Sequence, residues 1–182
     1  MAHSKIYTAT LHVLLIALAA LSLQLMAQNR ALKNPTIPEP PKLEVGQTVA
    51  SQPVLGLDGG TESLGSNPED PRDRVLLVYT TTCPACRENQ QAWKSLYAEA
   101  GDRADIVGIS LDGLEAARAY RDKHALPFPV RVPSDRDAFA QAFEVSAVPL
   151  TVHLSASGEV RGTWLGALGP DDLAALTASV SG

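Results

Sequence analysis

The sequence predicts an α/β domain, one mixed sheet flanked by helices, preceded by an N-terminal transmembrane helix. Three observations lead there. From Ile6 to Asn29 there is no Asp, Glu, Lys or Arg. Beyond Gly46, short apolar runs alternate with helix-period segments in the order βαβ and later ββα, which implies a mixed sheet covered by helices. Between the first buried run and the first of these helices sits Cys83-Pro84-Ala85-Cys86. The 182 residues leave room for one ordinary domain plus an appendage.

Within the uncharged N-terminal window, Leu11 to Met26 is almost wholly apolar, broken mainly by Ser22 and Gln24. A membrane span needs roughly 20 residues to cross about 30 Å of hydrocarbon, and this window reaches that length. The competing reading is a cleaved signal peptide, with Ala17-Leu18-Ala19 as a small-x-small site, but apolar residues continue past it. An uncleaved anchor is the expectation, with residues 1–29 forming the helix. Both readings place the remainder outside the cytoplasm. The flanking charges pull the other way: Lys5 precedes the span, and Arg30 and Lys33 follow it, the reverse of the positive-inside bias. No cysteine lies in this segment, which excludes a lipid-modified one.

Residues 30–45 form a proline-rich linker, since ALKNPTIPEPPKLEV has no core-forming pattern of its own. The domain itself is placed at 46–182. Val75–Tyr79 is a continuous apolar run, as expected of a strand buried on both faces. Trp93, Leu96, Tyr97 and Ala100 follow at helical spacing, and Gly101 ends that helix. Ile106–Ile109 reads as a second buried strand. Asp112 to His124 reads as a helix with Asp112 and Glu115 in capping-box positions. A short strand at Val130–Val132 and a short helix over Asp137–Phe143 come next. Leu150–Leu154 and Val160–Leu165 are strands joined by Ser155-Ala156-Ser157-Gly158 as a hairpin. Pro170 opens a last helix, with Asp171 and Asp172 in its positive first turn and Leu173, Leu176 and Val180 on its buried stripe.

Composition narrows the function. Hydrophobic residues make up 45% and charged residues 19%, which suits a packed globule and argues against a disordered chain. A net charge of −5 with no basic cluster gives no basis for nucleic-acid binding. The two cysteines are three positions apart, too few and too close for a disulfide framework. Closing so short a loop would stabilise the fold by only about 2 kcal/mol. Chemistry explains the pair better than stapling does.

Cys83 follows a buried strand, and Pro84 suits the first position of a helix. Cys83 is thereby placed at a helix N-terminus, where unpaired N–H groups and the dipole favour a thiolate. Cys86, one turn on, lies on the same face. In that context Cys-x-x-Cys signals a redox-active disulfide. Half of a zinc site would need two more ligands, and His3, His12, His124 and His153 offer no such cluster, so no metal is expected. His153 lies mid-strand and reads as a packed or half-exposed histidine rather than a ligand. Trp93 and Trp164 read as packing residues.

The ordered set TTTCPAC after an apolar strand, then VSAVPLTVHLSASGEV, resembles the TlpA/ResA-type branch of the thioredoxin-like superfamily. VGQTVASQPVLGLDG at the start, Phe128-Pro129-Val130 and the stretch around Gly166 extend the likeness over about residues 45–180. The resemblance implies a thioredoxin-like fold and a protein disulfide reductase serving exported clients, for example in cytochrome c maturation. It implies that Cys83 is the nucleophile and Cys86 resolves the mixed disulfide. Pro149 would be cis and face the cysteines, while Val148 and Pro84 would border the bound client. A membrane electron donor or acceptor is expected, the domain would face the periplasm from the inner membrane, and no bound cofactor is needed.

This chain departs from the pattern in places. The buried Asp beneath the second cysteine of thioredoxins is Leu77 here, and the aromatic before the first cysteine is Thr82. Asp112 stands where the branch carries a proton-handling acid, and is read either as acceptor of the Cys86 proton or as a helix cap. Two rival readings compete with this one. A peroxiredoxin-like peroxidase fits Thr80-Thr81-Thr82-Cys83 as TxxC, but PxxxTxxC wants proline where Leu76 stands. A Sco-like copper-binding protein uses CxxxC, one residue longer than the spacing here.

Overall fold

The structure, a computed structural model, describes residues 2–33, 43–65 and 70–180. Most of the proline-rich segment read at 30–45 lies outside the described residues. The chain divides into two units, residues 1–39 and 40–182.

The first unit is α1, Ala2–Lys33, a single helix. Its apolar side chains from Leu11 to Met26 stand exposed, Leu14 at 62% and Ile16 at 69%. Among the described residues no helix is long and apolar enough to cross a membrane. The stretch from Leu11 to Met26 spans about 24 Å at 1.5 Å per residue, short of the roughly 30 Å of a hydrocarbon core.

The second unit is built on seven strands: β1 (Gln52–Gly56), β2 (Thr61–Leu64), β3 (Arg74–Tyr79), β4 (Asp105–Ser110), β5 (Val130–Pro133), β6 (Leu150–Leu154) and β7 (Val160–Leu165). Four helices join them: α2 (Pro84–Ala100), α3 (Leu114–His124), α4 (Arg136–Ala142) and α5 (Pro170–Ser179). The sheet order is β2-β1-β5-β4-β3-β6-β7. The pairs β3–β4 and β4–β5 are parallel, whereas β3–β6 and β6–β7 are antiparallel. This is the mixed sheet the alternating runs predict. All six residues of β3 are buried, because the strand is central and covered on both faces.

Alternation along β3 sorts its side chains. Val75, Leu77 and Tyr79 pack with Trp93 and Leu96 of α2, Ala117 and Tyr120 of α3 and Leu176 of α5. Leu76 and Val78 pack on the opposite face with Phe139 of α4, its C-cap Phe143, and Val152 and Leu154 of β6.

Several boundaries differ from the sequence reading. The β1–β2 hairpin was not foreseen. Pro53, Gly56 and a turn at Leu57-Asp58-Gly59-Gly60 mask its pattern, and three of the four β2 residues are exposed. The helix read from Asp112 begins at Leu114, with Gly113 as N-cap and no side-chain cap bond. Asp112 is drawn elsewhere. On α4 the cap is Asp135, whose carboxylate accepts the N–H groups of Asp137 and Ala138 at 3.0 Å each.

Candidate functional site

The site forms where β3 ends. Pro84 occupies the first turn of α2, and Cys83 is the N-cap in extended backbone. The Cys83 Sγ accepts the Cys86 backbone N–H at 3.1 Å, so the sulfur does the work a Ser or Asp oxygen does at other helix starts. The Thr80 carbonyl accepts the Cys83 N–H at 3.4 Å. Both cysteines are free thiols, Cys83 half-buried and Cys86 buried. They differ in access as a nucleophile and its resolving partner must.

Burial pushes the Cys86 thiol up to about 12, and the neighbouring Cys83 sulfur pushes it in the same direction. Ionising Cys86 is therefore costly in the folded dithiol.

Because β6 runs antiparallel to β3, the start of β6 returns beside the end of β3, with Val78 opposite Leu150. Val148 and Pro149 come just before it. The Val148–Pro149 peptide bond is cis. The Val148 carbonyl accepts the Cys83 S–H at 3.6 Å. The Pro149 carbonyl is engaged from the other side by the Gly166 N–H at 2.8 Å, which ties this loop to the end of β7. Pro84 is exposed and Val148 half-buried, and Val148, Leu114 and Trp164 pack against the same apolar cluster as Cys83. The geometry thus brings Cys83, Cys86, Pro84, Val148 and Pro149 together.

Asp112 joins them by another route than the one expected. Its Oδ2 accepts the Thr81 N–H at 2.6 Å, and the Leu111 N–H donates to the Tyr79 carbonyl at 2.9 Å. The loop after β4 is thereby laced to the loop that delivers Cys83. Asp112 is no helix cap, because its carboxylate is turned toward this backbone amide.

Beneath the dithiol lies a set that sequence reasoning did not single out. Tyr79 and Tyr120 stack with ring centroids 5.3 Å apart, and Tyr120 also packs on His124 at 4.4 Å. Gln90 Nε2 donates to the Tyr120 hydroxyl at 2.7 Å. Gly108 on β4 leaves the space for this packing, since a Cβ there would come within 2.9 Å of the Phe128 ring and 3.4 Å of Tyr79. The available signal was the period of two in β3, which puts Tyr79 on the Leu77 face toward α2.

His153 is buried, as a packed histidine should be. Its Nε2 meets Asp73 Oδ2 at 2.8 Å and its Nδ1 meets the Ser179 hydroxyl at 3.2 Å. Its ladder partner is Val75, at the far end of β3 from the cysteines. Trp93 is buried, with its indole N–H on the Thr151 hydroxyl at 3.1 Å, and Trp164 is half-buried. Among the described residues no group of three or more His, Cys, Asp or Glu could hold a metal ion.

Comparison with known proteins places this geometry. Residues 45–165 match the AhpC/TSA family. No curated protein matches the chain. Among solved structures, the thioredoxin domain of a thiol-disulfide oxidoreductase from Bacteroides vulgatus superposes with a TM-score of 0.67 at 17% identity, covering 76% of this chain and 99% of that one. StoA from Bacillus subtilis gives 0.59 at 18%, covering 73% and 97%. A peroxiredoxin-like protein from Aquifex aeolicus gives 0.63 at 16%, covering 77% and 89%. At such identities these likenesses establish a thioredoxin-like fold.

Proposed function

Because the chain belongs to the AhpC/TSA family, we propose that its Cys83–Cys86 dithiol works as a thiol–disulfide oxidoreductase that reduces disulfides of exported proteins. The carrying observation is the placement of Cys83 Sγ, at the N-cap of α2, on the Cys86 N–H and against the Val148 carbonyl.

The sequence of steps follows from the access of each sulfur. Cys83 as thiolate attacks a client disulfide, forming the mixed disulfide and expelling the client's other sulfur as thiolate. The Val148 carbonyl, released by the lost S–H, is then free to accept a backbone N–H from the client. Cys86 loses its proton and attacks Cys83 Sγ. That forms the Cys83–Cys86 disulfide and expels the second client sulfur, so two electrons pass to the client. A donor dithiol resets the pair. Pro84 and Val148 border the client, Pro149 shapes the groove, and Asp112 is a positioning residue for the loop.

The finer assignment is a TlpA/ResA-type reductase held in the inner membrane by the N-terminal helix, with the domain facing the periplasm. The uncharged window from Ile6 to Asn29 supports the anchor. The donor would then be a membrane dithiol protein, and cytochrome c maturation a fitting client pathway.

A peroxidase reading draws on the family and on Thr80, whose carbonyl engages the Cys83 N–H. Leu76 weighs against it. It sits mid-strand between Val107 and Val152, where proline could not donate to the ladder.

The test is the reduction potential of the couple, by equilibration in glutathione or dithiothreitol buffers and counting free thiols by mass. A value near or below about −220 mV supports the reductant; one near about −120 mV means a disulfide-forming oxidant. No reversible two-electron couple would overturn the reading, and fast consumption of hydrogen peroxide would move it to the peroxidase.

A further inference from the structure

The face of α2 that carries Cys86 also carries Gln90 and Trp93, and it closes over two phenols from different elements. Tyr79 ends β3 and Tyr120 lies on α3, with 0% and 7% of their surfaces exposed. Neither hydroxyl proton has an acceptor among the described residues. The Tyr79 hydroxyl has no partner. The Tyr120 hydroxyl accepts from Gln90 and leaves its own proton unspent. Leaving a buried hydroxyl unsatisfied costs about 1–3 kcal/mol.

The buried Tyr79 hydroxyl calls for an acceptor that the dithiol form lacks, and the Tyr120 hydroxyl stacked beside it keeps a proton to donate. Cys86 belongs to the same cluster of buried residues and is the member of it whose charge changes in thiol exchange. Gln90, one helical turn beyond Cys86, holds the Tyr120 hydroxyl at 2.7 Å, and Tyr79 stacks on Tyr120, so both phenols lie beneath the turn of α2 that carries the sulfur. Leu77, on the same face of β3, stands where thioredoxins carry a carboxyl. An anion there would oppose a second one on Cys86, whereas neutral donors favour it.

We propose that Tyr79 and Tyr120 form a neutral hydrogen-bonding cradle for the Cys86 thiolate, turning their hydroxyls onto its sulfur while it attacks the mixed disulfide. This rests on the oxidoreductase reading and deepens it. The Cys86 S–H bond breaks and its proton goes to water. The thiolate pair forms the bond to Cys83 Sγ, and the client sulfur leaves with the electrons of the broken S–S bond. The phenols stay protonated throughout.

The experiment uses the full chain with Tyr79→Phe, Tyr120→Phe or both. Phe preserves the stack and removes only the hydroxyls. Reduced protein is mixed in stopped flow with an aromatic disulfide that releases a coloured thiolate. The first release reports attack by Cys83 and the second reports resolution by Cys86. Across about pH 6–9 the double variant should show a second phase about tenfold slower, equivalent to a displacement of about one pH unit, with the first phase unchanged. Tyr120→Phe alone should slow it about threefold, and serves if the other variants fold poorly. Two phases in the parent that persist unchanged in the variants, with a raised Tm, would overturn the cradle and leave the hydroxyls as unsatisfied structural groups. A parent with no second release would overturn the oxidoreductase reading itself, and the cradle with it.

Discussion

The Asp112 carboxylate accepts the Thr81 backbone N–H at 2.6 Å, joining the end of β4 to the loop that presents Cys83. A hydrogen bond to a charged acceptor is worth about 1.5–3 kcal/mol. Asp112→Ala should lower stability by about that amount in denaturant melts and slow attack by Cys83 severalfold. Asp112→Asn keeps an oxygen acceptor and should retain most of both, with the pH dependence of exchange in place. A pH profile that changes in the Asn variant would instead assign the carboxylate to the Cys86 proton.

The unequal exposure of the two sulfurs separates their variants. Cys83→Ser should abolish exchange with a model disulfide. Cys86→Ser should permit the first attack and accumulate a mixed disulfide, visible as one adduct by intact mass. Adducts on Cys86 in the Cys83→Ser protein at a comparable rate would overturn the assignment of roles.

Alkali should weaken the reduced form. The Cys86 thiol ionises at about 12 in the fold, pushed up by burial, against an ordinary 9.0. Below pH 9 both states hold the proton and the contribution to stability is full. Between about pH 9 and 12 the unfolded chain binds fewer protons, so stability falls as pH rises. Tyr79, also raised by burial, adds in the same direction above pH 10. The oxidised protein has no Cys86 thiol and should lose less over this window. Thermal melts of the two forms at pH 8 and 10.5 would show whether the gap shifts that way.

At the other end of β3, His153 links Asp73 to Ser179 on α5. His153→Ala removes both bonds and opens a buried cavity, at a cost of about 2–3 kcal/mol. Exchange rates of the folded variant should match the parent, since about 13 Å of strand lies between Val75 and Tyr79. Slowed exchange would show coupling along the strand.

Gly108→Ala tests the room under the dithiol. The added methyl would meet the Phe128 ring at 2.9 Å, and overpacking of this kind costs about 1–3 kcal/mol. It should also slow resolution more than first attack, because Tyr79 is the next atom group displaced. Equal slowing of both phases would mean a general loosening instead.

Most of the sheet was legible because its central strands are continuous apolar runs and its helices carry clear 3.6-residue stripes. Val75–Tyr79 lies within β3, and Leu150–Leu154 and Val160–Leu165 coincide with β6 and β7. The β1–β2 hairpin was not legible, since an exposed edge with Pro53 and Gly56 presents no alternation to read. At the site, the cysteines and Pro149 announce themselves by residue type and order. Asp112 misleads because a carboxylate three residues before Glu115 satisfies a local capping pattern, and only tertiary contact reveals the amide it serves. Tyr79 hides inside a run that any core strand might have, and its partner Tyr120 lies on α3, 41 residues further along the chain.

The antiparallel return of β6 has a consequence for biogenesis. Val148 and Cys83 face each other across 65 residues of chain. During synthesis the two thiols emerge well before β6, as a pair without Val148 and Pro149 beside it. On the proposed reading, selectivity is acquired late, when β6 inserts beside β3, and until then the nascent pair meets oxidants without that groove.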